Sequence, residues 1–143
     1  MKRGDDGTAT IEFVWLALLL LVPLVYILLA VFDVQRAAYG VSAASRAATR
    51  AYILAPDNAS AEEWAQRAAL VALADHGIAE ASVRVTCQPN PSDCRSAGSV
   101  VQVSVEASQP LPLMPSVLGD RLGSVDVSAT HREPFGSFRE DSE

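Results

Sequence analysis

FVWLALLLLVPLVYILLAVF, from Phe13 to Phe32, is a run of twenty residues without a charge, and its reading decides where the rest of the chain can sit. As a helix rising about 1.5 Å per residue it spans roughly 30 Å, the thickness of a bilayer's hydrocarbon core. A secretory signal has a shorter apolar region, about 7–15 residues, closed by a small-residue cleavage site. Here the nearest such site, Val41-Ser42-Ala43, lies well past the end of the run. The stretch therefore reads as a retained membrane helix. Pro23 sits in mid-span, where membrane helices tolerate proline because neighbouring groups re-satisfy the freed carbonyl. We expect a kink there.

Outside this run the sequence is ordinary and slightly acidic. The 143 residues allow one modest domain plus an anchor. The formal net charge is −6 and the 11 basic residues are scattered. A nucleic-acid surface gathers its basic residues on one face, so none is expected. Two histidines and two cysteines are too few for a convincing metal cluster. Lys2 and Arg3 precede the span while Arg36, Arg46 and Arg50 follow it, so charge counting alone leaves its orientation open.

Working outward, Met1–Gly7 is a short polar leader, and Thr8 to about Leu54 reads as one long helix, with the span over 13–32. In its second half Ala37, Val41, Ala44, Ala48 and Ala51 recur at steps of four and three and share one face. Such small residues allow close approach of another helix. Two readings stand: packing on the protein's own core, favoured at the far end, and a helix–helix seam between subunits, favoured near the membrane.

Pro56 stops this helix and Asp57-Asn58 turns the chain. Ser60 followed by Glu63 has the spacing of a capping box, and Gly77 is placed to close the second helix it opens. Trp64, Ala68, Val71 and Ala72 supply that helix with an apolar face.

Three alternating segments follow. Val83, Val85 and Cys87, then Val101, Val103, Val105 and Ala107, then Val125, Val127 and Ala129 each alternate with polar residues. Period-two alternation means a sheet with one buried and one wet face. The second helix and the end of the first are expected to cover the buried face. Gln109–Gly123 carries three prolines and reads as loop, and the chain from Arg132 onward reads as a polar tail. The fold class is thus α+β: a long amino-terminal helix continuing into a domain, over 56–131, of a second helix packed on a three-stranded antiparallel sheet.

Cys87 and Cys94 bracket a six-residue loop between the first two strands. Zinc would need about four ligands, and neither histidine is suitably spaced. A disulfide is the specific reading, with two unpaired thiols as the alternative. A bridge would place the domain outside the reducing cytosol.

The head of the span carries the most specific signal. Glu12 stands one residue before an unbroken apolar run, where a carboxylate is expensive. Gly7 lies five residues earlier, after a leader containing Lys2 and Arg3. The pattern Gly7-Thr8-Ala9-Thr10-Ile11-Glu12-Phe13 resembles a type IV prepilin processing site, with cleavage after glycine and glutamate as the fifth mature residue. Asp33–Ala38 and Ala43–Arg50 continue the likeness, and the stretch from Gly7 to Ala51 resembles the TadE-like family of the tight-adherence (Tad/Flp) pilus system. Pro23 departs from that pattern by lying further along the span.

The resemblance implies a minor pilin or pseudopilin of the bacterial cytoplasmic membrane, single-pass, with its domain extracytoplasmic or in a surface filament. Its implied partners are prepilin peptidase, other pilins and Tad assembly proteins. Gly7, Thr8, Glu12 and Phe13 would form the processing site. Glu12 would pair in a filament with the new amino group of Thr8 in a neighbouring subunit, whereas a plain anchor would merely solvate it among headgroups. No phosphate-cradling loop, nucleophile elbow or paired-histidine motif is present in the sequence, so neither an enzyme nor a cofactor is expected. His76 and His131, the latter expected in the exit from the last strand, read as structural or solvent-facing. The alternative function is an uncleaved single-pass membrane protein with a small extracytoplasmic binding domain.

Overall fold

Helix α1 (Asp6–Leu54) is continuous over 49 residues with Pro23 inside it, which makes it about 70 Å long. The computed structural model describes residues 6–112 and 123–136. Most of the expected leader, residues 113–122 of the proline-containing loop, and 137–143 of the expected tail lie outside the described residues.

The second half of α1 forms the floor of the domain. Ala37, Val41, Ala44 and Ala48 are buried within the chain's own core, joined by Thr49 and Tyr52, while Ala51 is half-buried. Ala37 and Val41 are therefore core residues, not the subunit seam that their position near the membrane suggested. The domain folds back over them before any second chain could reach them. Two hydroxyls enter this apolar stripe without cost because the helix satisfies them itself: Ser45 Oγ donates to the Ser42 carbonyl at 3.0 Å and Thr49 Oγ1 to the Ser45 carbonyl at 2.7 Å.

Helix α2 (Asn58–Ala74) returns antiparallel along α1. Its cap is Asp57, in an extended conformation, whose carboxylate accepts from the Ser60 N–H at 2.8 Å. This differs from the expected Ser60–Glu63 capping box. The turn residue itself is the cap, and Glu63 instead pairs with Arg67 one turn on. At the other end Gly77 does close the helix. It has φ +73°, its N–H reaches the Ala74 carbonyl at 2.9 Å, and Ile78 N–H reaches the Leu73 carbonyl at 3.0 Å.

The buried face of α2 is Ala61, Ala65, Ala69 and Leu73, one residue type repeated at every turn and then leucine. The expected face is overturned at its large residues: Trp64 is 44% exposed and Val71 66%. The small residues of α1 are the reason. They invite a close backbone approach, which alanines on α2 permit and a tryptophan would prop apart.

The sheet has order β1–β2–β3, antiparallel throughout, with β1 (Ser82–Gln88), β2 (Val100–Pro110) and β3 (Ser124–Pro134). Its inner face lies on α1, while α2 flanks α1 and, among the described residues, meets the sheet chiefly at β1, so it is α1 more than the second helix that covers the buried face. Val101, Val103 and Val105 of the central strand are fully buried, each contributing about 1.5–3 kcal/mol. Strand β3 runs four residues past Thr130, pairing Arg132 with Gln102 and Pro134 with Val100. His131 is consequently inside the strand, opposite Val103, rather than in its exit. Arg132–Pro134 belong to the sheet, not to a tail, because β2 extends far enough to pair with them. Phe135 follows them into the core, its N–H bonded to the Ser99 carbonyl at 2.8 Å.

Candidate functional site

The helix that builds the floor of the domain leaves its other half uncovered. From Ile11 to Phe32 the large apolar side chains of α1 are exposed, and none of its most apolar window is buried. Among the described residues it is the one helix long and apolar enough to cross a membrane. A soluble core helix of that composition would be covered by its own chain, since apolar area removed from water is the main stabilising term. This one projects bare.

Glu12 stands at the head of that projection, exposed, between Ile11 and Phe13. Thr8 is one helical turn earlier, and Gly7 lies in the opening turn, because α1 begins at Asp6 instead of at Thr8. The four residues of the expected processing site therefore lie in two consecutive turns of one helix, at the end remote from the domain. No described side chain of the domain touches Glu12 through a hydrogen bond or ion pair.

The opposite end of α1 is held by Arg95, which sequence reading missed, set in place by the expected disulfide. Cys87 in β1 and Cys94 in the following loop are joined as a disulfide, with Cα atoms 5.2 Å apart. The bridge folds the loop so that the next residue, Arg95, reaches the end of α1. Arg95 Nη2 donates to the Ala55 carbonyl at 2.9 Å, and Nη1 lies 3.5 Å and 3.4 Å from the carbonyls of Tyr52 and Asp57. Its guanidinium also sits 5.4 Å from the centre of the Phe135 ring. Helix α1 has no basic residue in its last turn, so this arginine supplies the cation its carbonyl end favours. Burial raises the Tyr52 hydroxyl above its usual range, with Glu62 adding to the rise and Arg95 opposing it. The only signal in the sequence was an arginine directly after a bridged cysteine, which by itself names no partner.

Neither histidine joins a site. His76 packs beside Gly40, where a Cβ would lie 2.9 Å from the His76 Cβ and from Ile78 Cδ1. Among the described residues no group of three His, Cys, Asp or Glu side chains could hold a metal ion. Two concavities among the described residues are shallow and open, one where β1 begins beside Glu106 and Asp126, the other around Pro89 and Pro91. Comparison with protein-family models, with curated proteins and with solved structures returns no match to this chain.

Proposed function

We propose that this chain is a TadE-like minor pilin or pseudopilin, anchored in the cytoplasmic membrane by α1 and acting in assembly of a Tad (Flp) type IV pilus or a related secretion apparatus. The observation that carries the reading is the bare half of α1 with Glu12 at its head. A filament subunit needs such a helix twice: first to sit in lipid, then to bundle with the same helix of its neighbours. A carboxylate at the head of that bundle is costly unless paired, and the amino group freed at Thr8 by cleavage after Gly7 is the pairing group within reach. The Cys87–Cys94 bridge supports an extracytoplasmic domain, since disulfides persist outside the reducing cytosol.

Intact-mass measurement on protein from the native host tests this. Cleavage between Gly7 and Thr8 leaves 143 − 7 = 136 residues. A membrane-inserted protein recovered only with its full-length amino terminus would reject processing and favour an uncleaved single-pass protein with a small binding domain.

A further inference from the structure

Two patches of the domain carry opposite charge on separate elements, Arg46 and Arg50 on α1 and Glu80, Glu106 and Asp126 around the start of β1, although Arg84 and Arg132 share the outer sheet face with the carboxylates. The outward face of α1, opposite its buried stripe, presents Tyr39, Ala43, Arg46 and Arg50, spaced three or four residues apart and all exposed, with Tyr39 71% accessible. Between Asp33 and Asp57 α1 and its end contain no acid at all. The ion pairs among the described residues are Asp33–Arg36 and Glu63–Arg67, which leave Arg46 and Arg50 without a carboxylate. This is the cationic face of a chain whose net charge is −6.

Across the sheet from α1, a shallow depression opens where β1 begins beside β2. Glu80, Glu106 and Asp126 rim it, with Ser82, Ser108 and Ser128 as small residues between them. The strand register puts Ser82, Glu106 and Ser128 side by side, and Ser108 beside Asp126, on the face turned away from the helices. Small lining residues, Ala81, Ala107 and Val127 as well as the serines, leave room for a long side chain to enter, and the carboxylates would meet a guanidinium there.

Height along α1 makes the match usable. Gly40 packs against His76 and Ile78, which lie just before Glu80 and Ser82. The depression therefore stands near the level of Gly40, within about two helical turns of Arg46. Copies held by α1 in one membrane or one bundle share that axis, so surfaces at similar height come face to face.

We infer that the Tyr39–Arg50 face of α1 docks into the Glu80/Glu106/Asp126 depression of a second copy of this chain. The contact joins two different surfaces, so it is heterologous and repeats without closing, the geometry of a filament rather than a symmetric dimer. The inference rests on the assembly reading above for the shared axis of the copies, and it names the partner that reading requires.

The test uses full-length protein in native membranes, in two populations: one carries Ala43→Cys and the other Ser108→Cys, and a bismaleimide cross-linker ignores the bridged native pair. The mixed population should give a cross-linked dimer that neither gives alone. Arg46→Glu with Arg50→Glu in the first chain should lower its yield about tenfold, since opposite-charge contacts become like-charge ones. Adding Glu106→Arg with Asp126→Arg to the second chain should restore it, which misfolding could not do. A mixed yield indifferent to these charges overturns the contact. So does an Ala43→Cys chain that links chiefly to itself or to a different pilin. Intact mass of the native chain separates the two ideas: a native protein that is unprocessed and still gives the cross-link sinks the prepilin reading and keeps the docking face.

Discussion

Arg95 donates through Nη2 to the Ala55 carbonyl at 2.9 Å, so a residue of the β1–β2 loop closes a helix that ended 40 residues earlier in the chain. Of its three partner carbonyls, that of Tyr52 lies in the last turn, where a helix leaves carbonyls open, and those of Ala55 and Asp57 lie in the connection to α2. Hydrogen bonds from a charged donor are worth about 1.5–3 kcal/mol each before solvent exposure reduces them. Arg95→Ala is therefore expected to lower stability by about 1–2 kcal/mol, read as a drop in melting temperature of the detergent-solubilised protein. Arg95→Lys should recover little, because a point ammonium cannot span three carbonyls and cover the Phe135 ring as the planar fork does. A Lys variant as stable as the parent would show that charge alone holds the junction.

Gly40 is required by the crossing of α1 and the end of α2. Replacing it by alanine gains about 1 kcal/mol of helix propensity, yet the new Cβ meets His76 Cβ at 2.9 Å. That atom cannot swing aside, and overpacking of this kind costs about 1–3 kcal/mol. Gly40→Ala should be net destabilising, and Gly40→Val more so. Chemical denaturation of the two variants decides it. A stabilised Gly40→Ala would mean that the helices separate freely there.

Breaking the Cys87–Cys94 bridge with paired serines should cost about 2–3 kcal/mol, the loop entropy of so short a closed segment. The same variant should loosen Arg95, whose position follows Cys94. Thiol labelling of intact cells under reducing and non-reducing conditions reads both bridge and sidedness. Thiols that react only after lysis, without reductant, would contradict the extracytoplasmic placement.

The Asp57 carboxyl is held below its usual value of 3.8, chiefly by the Ser60 backbone N–H and then by the Ser60 hydroxyl. A depressed folded value means that the cap's contribution is complete above the unfolded value and is lost as pH falls through the folded one. Melting temperature should therefore decline in strongly acidic solution in part through Asp57. Asp57→Asn should keep a cap, since asparagine accepts the same bond, and remove that portion of the acid sensitivity. An unchanged acid profile in the variant would assign the loss to other carboxylates.

Glu12→Gln separates assembly from anchoring. The amide keeps size and some hydrogen bonding while removing the charge that would pair with the amine of Thr8. Cleavage and membrane insertion should persist, while co-purification with partner pilins and the number of surface filaments fall. Normal filaments with Glu12→Gln would refute the pairing role.

Much of this architecture is legible without coordinates because it rests on period. The alternation of Val101, Val103 and Val105 marks the inner face of β2, and all three are buried there. The stripe Ala37–Ala48 likewise marks the buried face of α1. Periodicity failed on α2, where Trp64 and Val71 look like the core face by hydrophobicity and are exposed in the structure. A pattern reports which side chains are apolar, while the close approach of two helices selects the ones that are small. The capping box failed for a related reason: Ser60 and Glu63 have the right spacing, but Asp57 at the turn already fills the role and Arg67 takes Glu63.

By itself the sequence determined the long apolar helix, the second helix, the three strands and the residues of the inner sheet face, because each depends on local repetition and on chain-breaking residues such as Pro56 and Gly77. It also placed Thr8, Glu12 and Phe13 at the start of the long apolar helix, a matter of order along the chain. Tertiary structure alone decided that Ala37 and Val41 belong to the chain's own core, that Arg95 bonds the Ala55 carbonyl across 40 residues, and that Arg46 and Arg50 lie apart from the Glu80/Glu106/Asp126 depression. These are relations between segments distant in sequence, set by how closely α1, α2 and the sheet can pack, and no local pattern encodes that distance.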